Sequence, residues 1–304
     1  MSPLPQDWRP IRIGTRGSPL ALAQALSVRD LIIDAYGVDA TEFEIIPIKT
    51  SGDRLTEQPL SEWGGKGLFT KEIEEALLAG NIDIAVHSVK DMPNQFPDGL
   101  CLAAVLPRAD ARDAFISLTH PSLDHLPQGA AVGTSSLRRQ AQILAKRPDL
   151  QVIPFRGNVG TRLKKLQDGQ AQATFLAMAG LRRLGLHNIV AYPLELSNML
   201  PAVGQGVIGI ECRTDNAAMR DMLDALHHPQ TLTCLMAERQ FLAVLDGSCR
   251  TPIAGHAQLI DGKLHFNGEI LNPDGTNRRA IARVGEAVDA YAIGQECGLI
   301  LKGK

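Results

Sequence analysis

Basic side chains recur in this sequence at points where short apolar runs give way to helical patterns. Arg16 lies in GTRGSP, and Arg138 and Arg139 lie in GTSSLRR, each just after a run with strand character. In open α/β sheets such turns lie at the carboxyl ends of strands, where ligands bind, and the following helix adds unpaired N–H groups. The pattern therefore predicts an anion receptor. The remaining basic residues of this set are Lys66, Lys90, Arg156 and Arg162.

The absence of phosphate-binding motifs bears on which anion these basic residues bind. A single arginine at such a turn is more often a solvated surface charge. Basic residues at five such turns are not explained as separate surface charges. The sequence contains neither a GxxxxGK[ST] loop nor a GxGxxG loop that opens a helix, so it has no dedicated phosphate motif. Guanidinium groups bind carboxylates bidentately as well as phosphates. A ligand that carries several carboxylates fits equally well.

Asp91 is an acidic residue in these otherwise basic turns. It follows Lys90 at the end of the apolar run DIAVH. One interpretation is a helix cap or a salt bridge to a neighbour. The other is catalytic, because an ionised carboxylate in a cationic, partly desolvated site keeps a low pKa and stabilises a cation that forms in a reaction. The sequence alone does not decide between them.

Cys249 lies in LDGSCRTP, between a glycine that can end a helix and Pro252. A loop thiol next to Arg250 is more exposed and more easily ionised than the other four cysteines, which lie in apolar or helical runs. An ordinary loop cysteine is the plainer interpretation. His87 and the pair His227 and His228 have no ligand spacing to other histidines or cysteines, and we interpret them as structural.

These residues must be positioned by an α/β framework, because short β-rich runs alternate with helical patterns from Ile11 to about Ile210. For the first helix, Ser18 is a suitable N-cap, Pro19 suits the first helical position, and Gly37 can end the helix. We predict strands at 11–14, 42–48, 82–87, 100–106, 130–133, 150–155, 173–177 and 207–211. We predict helices that begin at Pro19, Leu68, Leu137, Val159, Ala217 and Thr231.

The pattern changes after about Pro229. A helix through Leu245 is followed by alternating runs with turn signals at 261–262 and 272–275, and then by a helix from Glu286, which predicts a small antiparallel α+β domain. Within the α/β part, IGTRGSPLALAQA and VGTSSLRRQA share a Gly-Thr at a strand end, a small polar turn and a following helix. Two similar α/β domains would explain this weak repeat, although chance would also.

Composition excludes several classes of protein. The 31 Lys and Arg residues against 33 Asp and Glu residues, with few aromatic residues, argue against a nucleic-acid partner. Apolar stretches are far shorter than the roughly 18 residues that suggest a membrane span, and the first residues lack a signal-peptide core. Five cysteines without a CxxC pair or zinc spacing indicate a reducing compartment and no structural metal. We therefore expect a cytoplasmic protein.

Taken together, the motifs resemble the porphobilinogen deaminase family, also called hydroxymethylbilane synthases. The resemblance runs nearly from end to end and in order, and its blocks are RIGTRGSPLALAQA, GGKGLFTKE, DIAVHSVKDMP, VGTSSLRRQ, RGNVGTRLKKL, AGLRRLGL, LPAVGQGVIGIECR and LDGSCRTPIAGHA. It implies two α/β domains of the periplasmic-binding-protein type around a cleft, and a small C-terminal α+β domain that carries the cysteine. The implied division is 1–106 with 204–226, then 107–203, then 227–304.

The resemblance also implies a reaction. Four porphobilinogen molecules are added head to tail, with loss of ammonia, to a dipyrromethane held by a thioether to Cys249, and hydrolysis releases hydroxymethylbilane. Asp91 is the implied catalytic residue, which stabilises a methylene-pyrrolenine cation. The product would pass to uroporphyrinogen-III synthase, and the enzyme would act as a monomer. The implied cofactor- and substrate-binding residues are Arg16, Ser18, Gln24, Lys66, Lys90, Thr134, Ser135, Ser136, Arg138, Arg139, Arg156, Arg162 and Arg183.

The sequence departs from the family pattern at two positions. Glu62 stands where a second lysine often precedes the GGK motif, and Ser248 stands where glycine commonly precedes the cysteine. Neither residue is assigned chemistry. The competing hypothesis is a cytosolic two-domain module that binds carboxylates without catalysis, since a fold does not determine function. Asp91 and Cys249 distinguish the two hypotheses, because a carboxylate receptor needs neither.

Overall fold

The computed structural model describes residues 10–54, 67–247 and 251–303. Its strands are β1 (Ile11–Arg16), β2 (Phe43–Ile48), β3 (Ile84–Ser88), β4 (Leu100–Val105), β5 (Asp113–Ile116), β6 (Ala131–Gly133), β7 (Gln151–Ile153), β8 (Ala173–Ala177), β9 (Ala191–Pro193), β10 (Ile208–Arg213), β11 (Ile253–Ile260), β12 (Lys263–Ile270) and β13 (Arg279–Glu286). Its α-helices are α1 (Pro19–Tyr36), α2 (Ser51–Arg54), α3 (Lys71–Leu78), α4 (Leu137–Lys146), α5 (Val159–Gln167), α6 (Met178–Arg183), α7 (Ala217–Asp224), α8 (Pro229–Val244) and α9 (Ala290–Lys302).

The chain divides into two compact units. Among the described residues, the first comprises 10–54, 67–108 and 207–231, and the second comprises 109–206, 232–247 and 251–303. The first unit is built on a five-stranded sheet of order β2-β1-β3-β10-β4, in which β10 runs antiparallel to both of its neighbours. Apolar residues of β1, β3 and β10, among them Ile13, Ile84 and Ile210, pack with residues of α1 and α7 into its main core.

The second unit contains two sheets. One has the order β7-β6-β8-β5-β9, with β5 antiparallel to both neighbours, so it repeats the strand arrangement of the first unit. The two halves of the weak sequence repeat therefore occupy equivalent positions. Strand β1 and strand β6 are each second in their sheet, and each is followed by a helix, α1 and α4. The other sheet is the antiparallel β11-β12-β13, and its core with α8 and α9 includes Phe241, Phe266 and Ile293.

The predicted fold class, α/β with a smaller C-terminal α+β part, is confirmed. Each predicted strand is present with its ends within two residues of those predicted, and both predicted hairpin turns join their strands. The division into three domains stays a prediction. No helix among the described residues has the length and apolar character needed to cross a bilayer.

Some predicted elements are wrong in detail. The helix expected from Leu68 begins at Lys71, because residues 67–70 first form a turn in which Gly67 has φ +78°. The helix expected from Thr231 begins at Pro229, and the last helix begins at Ala290, because Glu286 still belongs to β13. The prediction missed two short strands, β5 and β9, and the short helices α2 and α6.

Candidate active site

A pocket in the first unit brings together four of the predicted site residues. Its lining includes Arg16, Ser18, Gln24 and Asp91, and the pocket is open to solvent. Arg16 ends β1, Ser18 and Gln24 belong to the start of α1, and Asp91 ends the short turn after β3. Because β1 and β3 are parallel neighbours, their carboxyl ends meet at one edge of the sheet. The structure thus brings these four residues together, and their roles as ligands and catalyst stay predictions.

Local hydrogen bonds explain why the chain turns sharply here. Ser18 caps α1, since its Oγ accepts a hydrogen bond from the backbone N–H of Ala21 at 3.3 Å, and Pro19 follows at the first helical position. One turn into the helix, Gln24 is buried and its Nε2 donates to Ser88 Oγ at 2.9 Å. The cap fixes the start of α1, and the Gln24–Ser88 pair ties that start to the end of β3.

Arg16 is held by three side chains. Its Nε donates to Asp53 at 3.2 Å, and its Nη2 makes a further short contact with the same carboxylate. The guanidinium carbon lies 4.2 Å from the centre of the Phe69 ring, a cation–π distance. Its Nη1 lies 3.9 Å from Asp91 Oδ2. Asp91 itself keeps 34% of its side chain exposed, so its carboxylate remains open to the pocket.

Asp53 and Phe69 are functional candidates that the sequence interpretation missed. Burial alone would raise the pKa of Asp53, but hydrogen bonds from Arg16 and Thr50 outweigh it and lower that pKa. Phe69 lies in the GGKGLF motif, which was interpreted for its lysine. That lysine, Lys66, lies outside the described residues. Lys90 lies one residue before Asp91 in the turn that follows β3.

His87 also lines the pocket, although the sequence interpretation treated it as structural. Its Nε2 lies 3.2 Å from Glu211 Oε2, and both side chains are almost fully buried. Glu74 is buried nearby, and burial, with the charge of Glu211 as a smaller cause, raises the pKa of its carboxyl group. No group of three or more His, Cys, Asp or Glu side chains in the described part of the chain is arranged to hold a metal ion.

In the second unit, the turn after β6 uses its hydroxyl groups locally. Thr134 Oγ1 accepts from the backbone N–H of Ser136 at 3.1 Å, and Ser135 Oγ accepts from that of Phe155 at 3.0 Å. Ser136 caps α4 through Arg139 N at 3.4 Å. These contacts set the geometry of the turn, and a ligand-binding role for the three hydroxyls stays a prediction.

Arg138 and Arg139 are buried, which the sequence interpretation did not anticipate. Only 6% and 5% of these residues is exposed, and both donate to Asp113, a fully buried carboxylate on β5, at 2.7 Å. Asp113 was missed because its partners lie 25 and 26 residues away in the sequence. Two guanidinium groups against one carboxylate leave an excess of positive charge at the start of α4.

The second unit contains three further arginines that were predicted to bind the ligand. Arg183, at the end of α6, donates to the carbonyl of Gly206 at 2.7 Å and has no carboxylate within ion-pair distance among residues 10–54, 67–247 and 251–303. Burial lowers its pKa to about 10. A buried Nη1 of Arg156 has no hydrogen-bond partner in the same residues. Arg162, in the first turn of α5, donates from Nε to the carbonyl of Gly157 at 2.9 Å.

The cysteines divide as the sequence suggested, as far as they are described. Cys212, Cys234 and Cys297 are buried and Cys101 is half-buried. Burial raises the pKa of Cys212 to about 12 and that of Cys297 to about 11, so these thiols stay protonated at neutral pH. Cys249 and its neighbours Ser248 and Arg250 lie outside the described residues.

Comparison with protein families decides the relationship. The family model for the dipyrromethane cofactor binding domain of porphobilinogen deaminase matches residues 11–221, and the model for the C-terminal domain of porphobilinogen deaminase matches residues 232–303. The chain belongs to the porphobilinogen deaminase family. The resemblance carried by the sequence motifs is thereby confirmed.

Relatives of similar length support this membership. The porphobilinogen deaminase of Paracoccus denitrificans is 55% identical over 304 residues, which is 100% of this chain and 97% of that protein. The porphobilinogen deaminase of Nitrobacter winogradskyi is 55% identical over 284 residues, 93% of this chain and 90% of that protein.

Solved structures give more distant similarities. The periplasmic VFT2 domain of Bordetella pertussis BvgS is 14% identical with a TM-score of 0.42, over 71% of this chain and 86% of that domain. A periplasmic substrate-binding protein of an ABC transporter from Coxiella burnetii is 14% identical with a TM-score of 0.43, over 73% of this chain and 94% of that protein. These TM-scores are too low for an argument about function.

Proposed function

We propose that this chain is a porphobilinogen deaminase: a transferase that condenses four porphobilinogen molecules head to tail, with release of ammonia, and then releases hydroxymethylbilane by hydrolysis. The observation that carries the proposal is the match of residues 11–221 to the family's cofactor-binding domain. That range contains every proposed ligand residue, while Cys249 falls within the second matched range, 232–303.

The side chains of the second unit suit an anionic cofactor. A dipyrromethane built from two porphobilinogen units carries several carboxylates, and such a group needs cations that are not already neutralised. Arg183 is partly desolvated without a carboxylate partner in the described residues, and Arg156 has a buried N–H group without an acceptor there. An unsatisfied buried donor is unfavourable by about 1–3 kcal/mol, so a ligand that accepts from it is stabilised. The residues present therefore fit the group.

Roles follow for the chain's own residues. We propose that Arg156, Arg162 and Arg183 bind cofactor carboxylates, and that the cofactor, held through Cys249, supplies the pyrrole to which substrate is added. Arg16 and Lys90 bind the carboxylates of incoming porphobilinogen, and Gln24 and Ser18 keep Arg16 in place by fixing α1 against β3. The remaining proposed ligands are Lys66, Thr134, Ser135, Ser136, Arg138 and Arg139.

Asp91 has the catalytic role in this proposal. Porphobilinogen develops positive charge when its amine leaves as ammonia, and a fixed carboxylate stabilises that charge most where water is scarce. The exposed part of Asp91 faces the pocket, and its Oδ2 lies 3.9 Å from Arg16 Nη1. A general carboxylate receptor would not place an anion at this position.

The proposal extends to the surroundings of the reaction. It includes action as a monomer, as the family resemblance implies. The odd number of cysteines, five, is typical of a reducing compartment and supports a location in the cytoplasm. The linear product is unstable, which supports direct transfer to uroporphyrinogen-III synthase.

The test is a stoichiometric assay. Purified protein incubated with porphobilinogen should consume it and release one ammonia per porphobilinogen, with hydroxymethylbilane formed at one quarter of that rate. Saturable binding of porphobilinogen without ammonia release would instead support the module that binds carboxylates without catalysis.

A further inference from the structure

Asp113 joins two neighbouring arginines of the second unit. It is fully buried at the start of β5. Arg138 Nη2 donates to its Oδ2 at 2.7 Å, and Arg139 Nη2 donates to its Oδ1 at 2.7 Å. Gln205 Nε2 donates to Oδ1 as well, at 3.0 Å. Each carboxylate oxygen thus binds one guanidinium, and the two guanidinium groups must lie side by side.

Backbone carbonyls fix the other edge of each guanidinium. Arg138 Nη1 donates to the carbonyl of Leu200, and Arg139 Nη1 donates to that of Phe175, both at 2.7 Å. The Nε–H of both arginines has no hydrogen-bond partner in the described part of the chain. Both side chains are therefore oriented by contacts at their far ends and still have donors to satisfy.

The charges around Asp113 do not balance. Burial lowers the pKa of Arg138, and the charge of Arg139 lowers it further, whereas Asp113 raises it. For Asp113, burial alone would raise the pKa, but the two arginines lower it, so the carboxylate is ionised at neutral pH. The next carboxylate, Glu269, already accepts from Arg278 at 2.9 Å. One further negative charge would neutralise the arginine pair.

We propose that Asp113 is a positioning residue that holds Arg138 and Arg139 together as one preorganised site for a carboxylate of the dipyrromethane. The inference rests on the proposed function. Without the charge of Asp113, two adjacent buried cations repel each other, and at least one must turn toward solvent. Preorganisation of charged donors is what makes such a site effective.

The second unit offers a matched control. Asp110 also bridges two arginines: it accepts from Arg112 Nε at 3.0 Å and lies 3.0 Å from Arg182 Nη2. Neither of those arginines has a proposed ligand role. Asp110→Asn therefore makes the same chemical change in the same unit, at a carboxylate that also serves two guanidinium groups.

The experiment compares Asp113→Asn, Asp110→Asn and wild type, each purified from cells that cannot make porphobilinogen. Intact-mass measurement then follows the appearance of the covalent adduct after porphobilinogen is added, and thermal melting reports the stability of the same samples. We expect adduct formation at least tenfold slower in Asp113→Asn and within twofold of wild type in Asp110→Asn. A purely structural role would lower the melting temperature without a selective loss of adduct formation.

A second variant keeps the test decisive if Asp113→Asn does not fold. Asp113→Glu retains the charge but displaces both guanidinium groups by one methylene, so we expect a folded protein that forms adduct at least threefold more slowly. Adduct formation at the wild-type rate in a folded Asp113 variant, or insolubility of both variants, would overturn the positioning role. A wild-type protein that never gains an adduct would instead refute the proposed function.

Discussion

Asp91 is the residue at which architecture and catalysis make different predictions. If it only pairs with a neighbour, Asp91→Asn should lower stability by about 1 kcal/mol and leave turnover nearly unchanged. If its charge acts on a cation in the transition state, the amide should reduce turnover by about 100- to 1000-fold, because electrostatic groups of this kind contribute that much. We expect the large loss, with Asp91→Glu intermediate, in assays of bilane formation on folded protein.

A control for Asp91 lies at the other end of β3. Asp83 precedes β3 and binds Arg12 at 2.8 Å. Asp83→Asn should reduce stability by about 1 kcal/mol or less and leave turnover unchanged. Retention of more than about a tenth of wild-type turnover by Asp91→Asn, or an equal loss in Asp83→Asn, would make Asp91 an architectural residue.

Arg183 is a residue whose charge opposes folding. Burial lowers the pKa of Arg183 to about 10, so the charged form is less favourable in the folded than in the unfolded chain. This loss of folding stability is fully present at every pH below about 10. Arg183→Leu should therefore leave the melting temperature of adduct-free protein unchanged or raise it by about 2–4 °C. The same variant should form the covalent adduct at least tenfold more slowly, which intact mass measures.

Arg182 provides the comparison for that prediction. Its side chain is 54% exposed and lies 3.0 Å from Asp110. Arg182→Leu should form adduct at the wild-type rate, with little change in melting temperature. If Arg183→Leu melts well below wild type and forms adduct normally, the guanidinium has a structural role only.

At the scale of elements, local signals were predictable and tertiary pairings were not. Helix α1 begins after Ser18 and ends before Gly37, as predicted, because capping depends on the residues next to the helix end. Gly37 adopts the φ of +65° that the C-terminal cap requires. The start of α3 was misplaced because the turn at Gly67 and the helix that follows share one apolar pattern. β5 was missed because its four residues form a strand only through pairing with β8 and β9, which are distant in the sequence.

The same division holds for the candidate site. Arg16 and Asp91 could be placed at one edge in advance, since parallel strands have their carboxyl ends at the same edge. Ser18 and Gln24 were named as site residues only through the family resemblance. Asp53 and Asp113 could not be placed in advance, because a carboxylate in a short helix or a short strand shows no sign of which arginine it will bind. Sequence spacing predicted where cations collect, and only the structure shows which of them are already neutralised.

The packing of α9 on α8 gives a prediction at the element scale. Gly294 lies so close to α8 that an added Cβ would come 2.1 Å from the carbonyl oxygen of Ala237. Helix propensity alone would make Gly294→Ala stabilising by about 1 kcal/mol. Since a backbone carbonyl cannot move aside, we expect a net loss of at least about 2 kcal/mol in the free energy of unfolding in urea.

An exposed position in the same helix separates these effects. Gln295 is exposed, so Gln295→Ala should change the free energy of unfolding by less than about 0.5 kcal/mol. A Gly294→Ala protein as stable as wild type would show that α9 does not pack on α8 through this glycine.

At the scale of the whole molecule, the two five-stranded sheets share one strand arrangement but carry different parts of the proposed chemistry. The sheet of the first unit presents Arg16 and Asp91 in a pocket, and that of the second unit presents arginines without carboxylate partners in the described residues. We therefore propose that the first unit binds the reacting end of the substrate and that the second unit binds the anionic cofactor.

The intact mass of the purified protein tests this account most directly. Wild type should exceed its sequence mass by one dipyrromethane, and added porphobilinogen should produce a series of further increments of one pyrrole unit each. Cys249→Ser should fold with the melting temperature of adduct-free wild type and show the mass of the bare polypeptide under both conditions. A wild-type protein with the bare mass, or an adduct that persists in Cys249→Ser, would contradict the account.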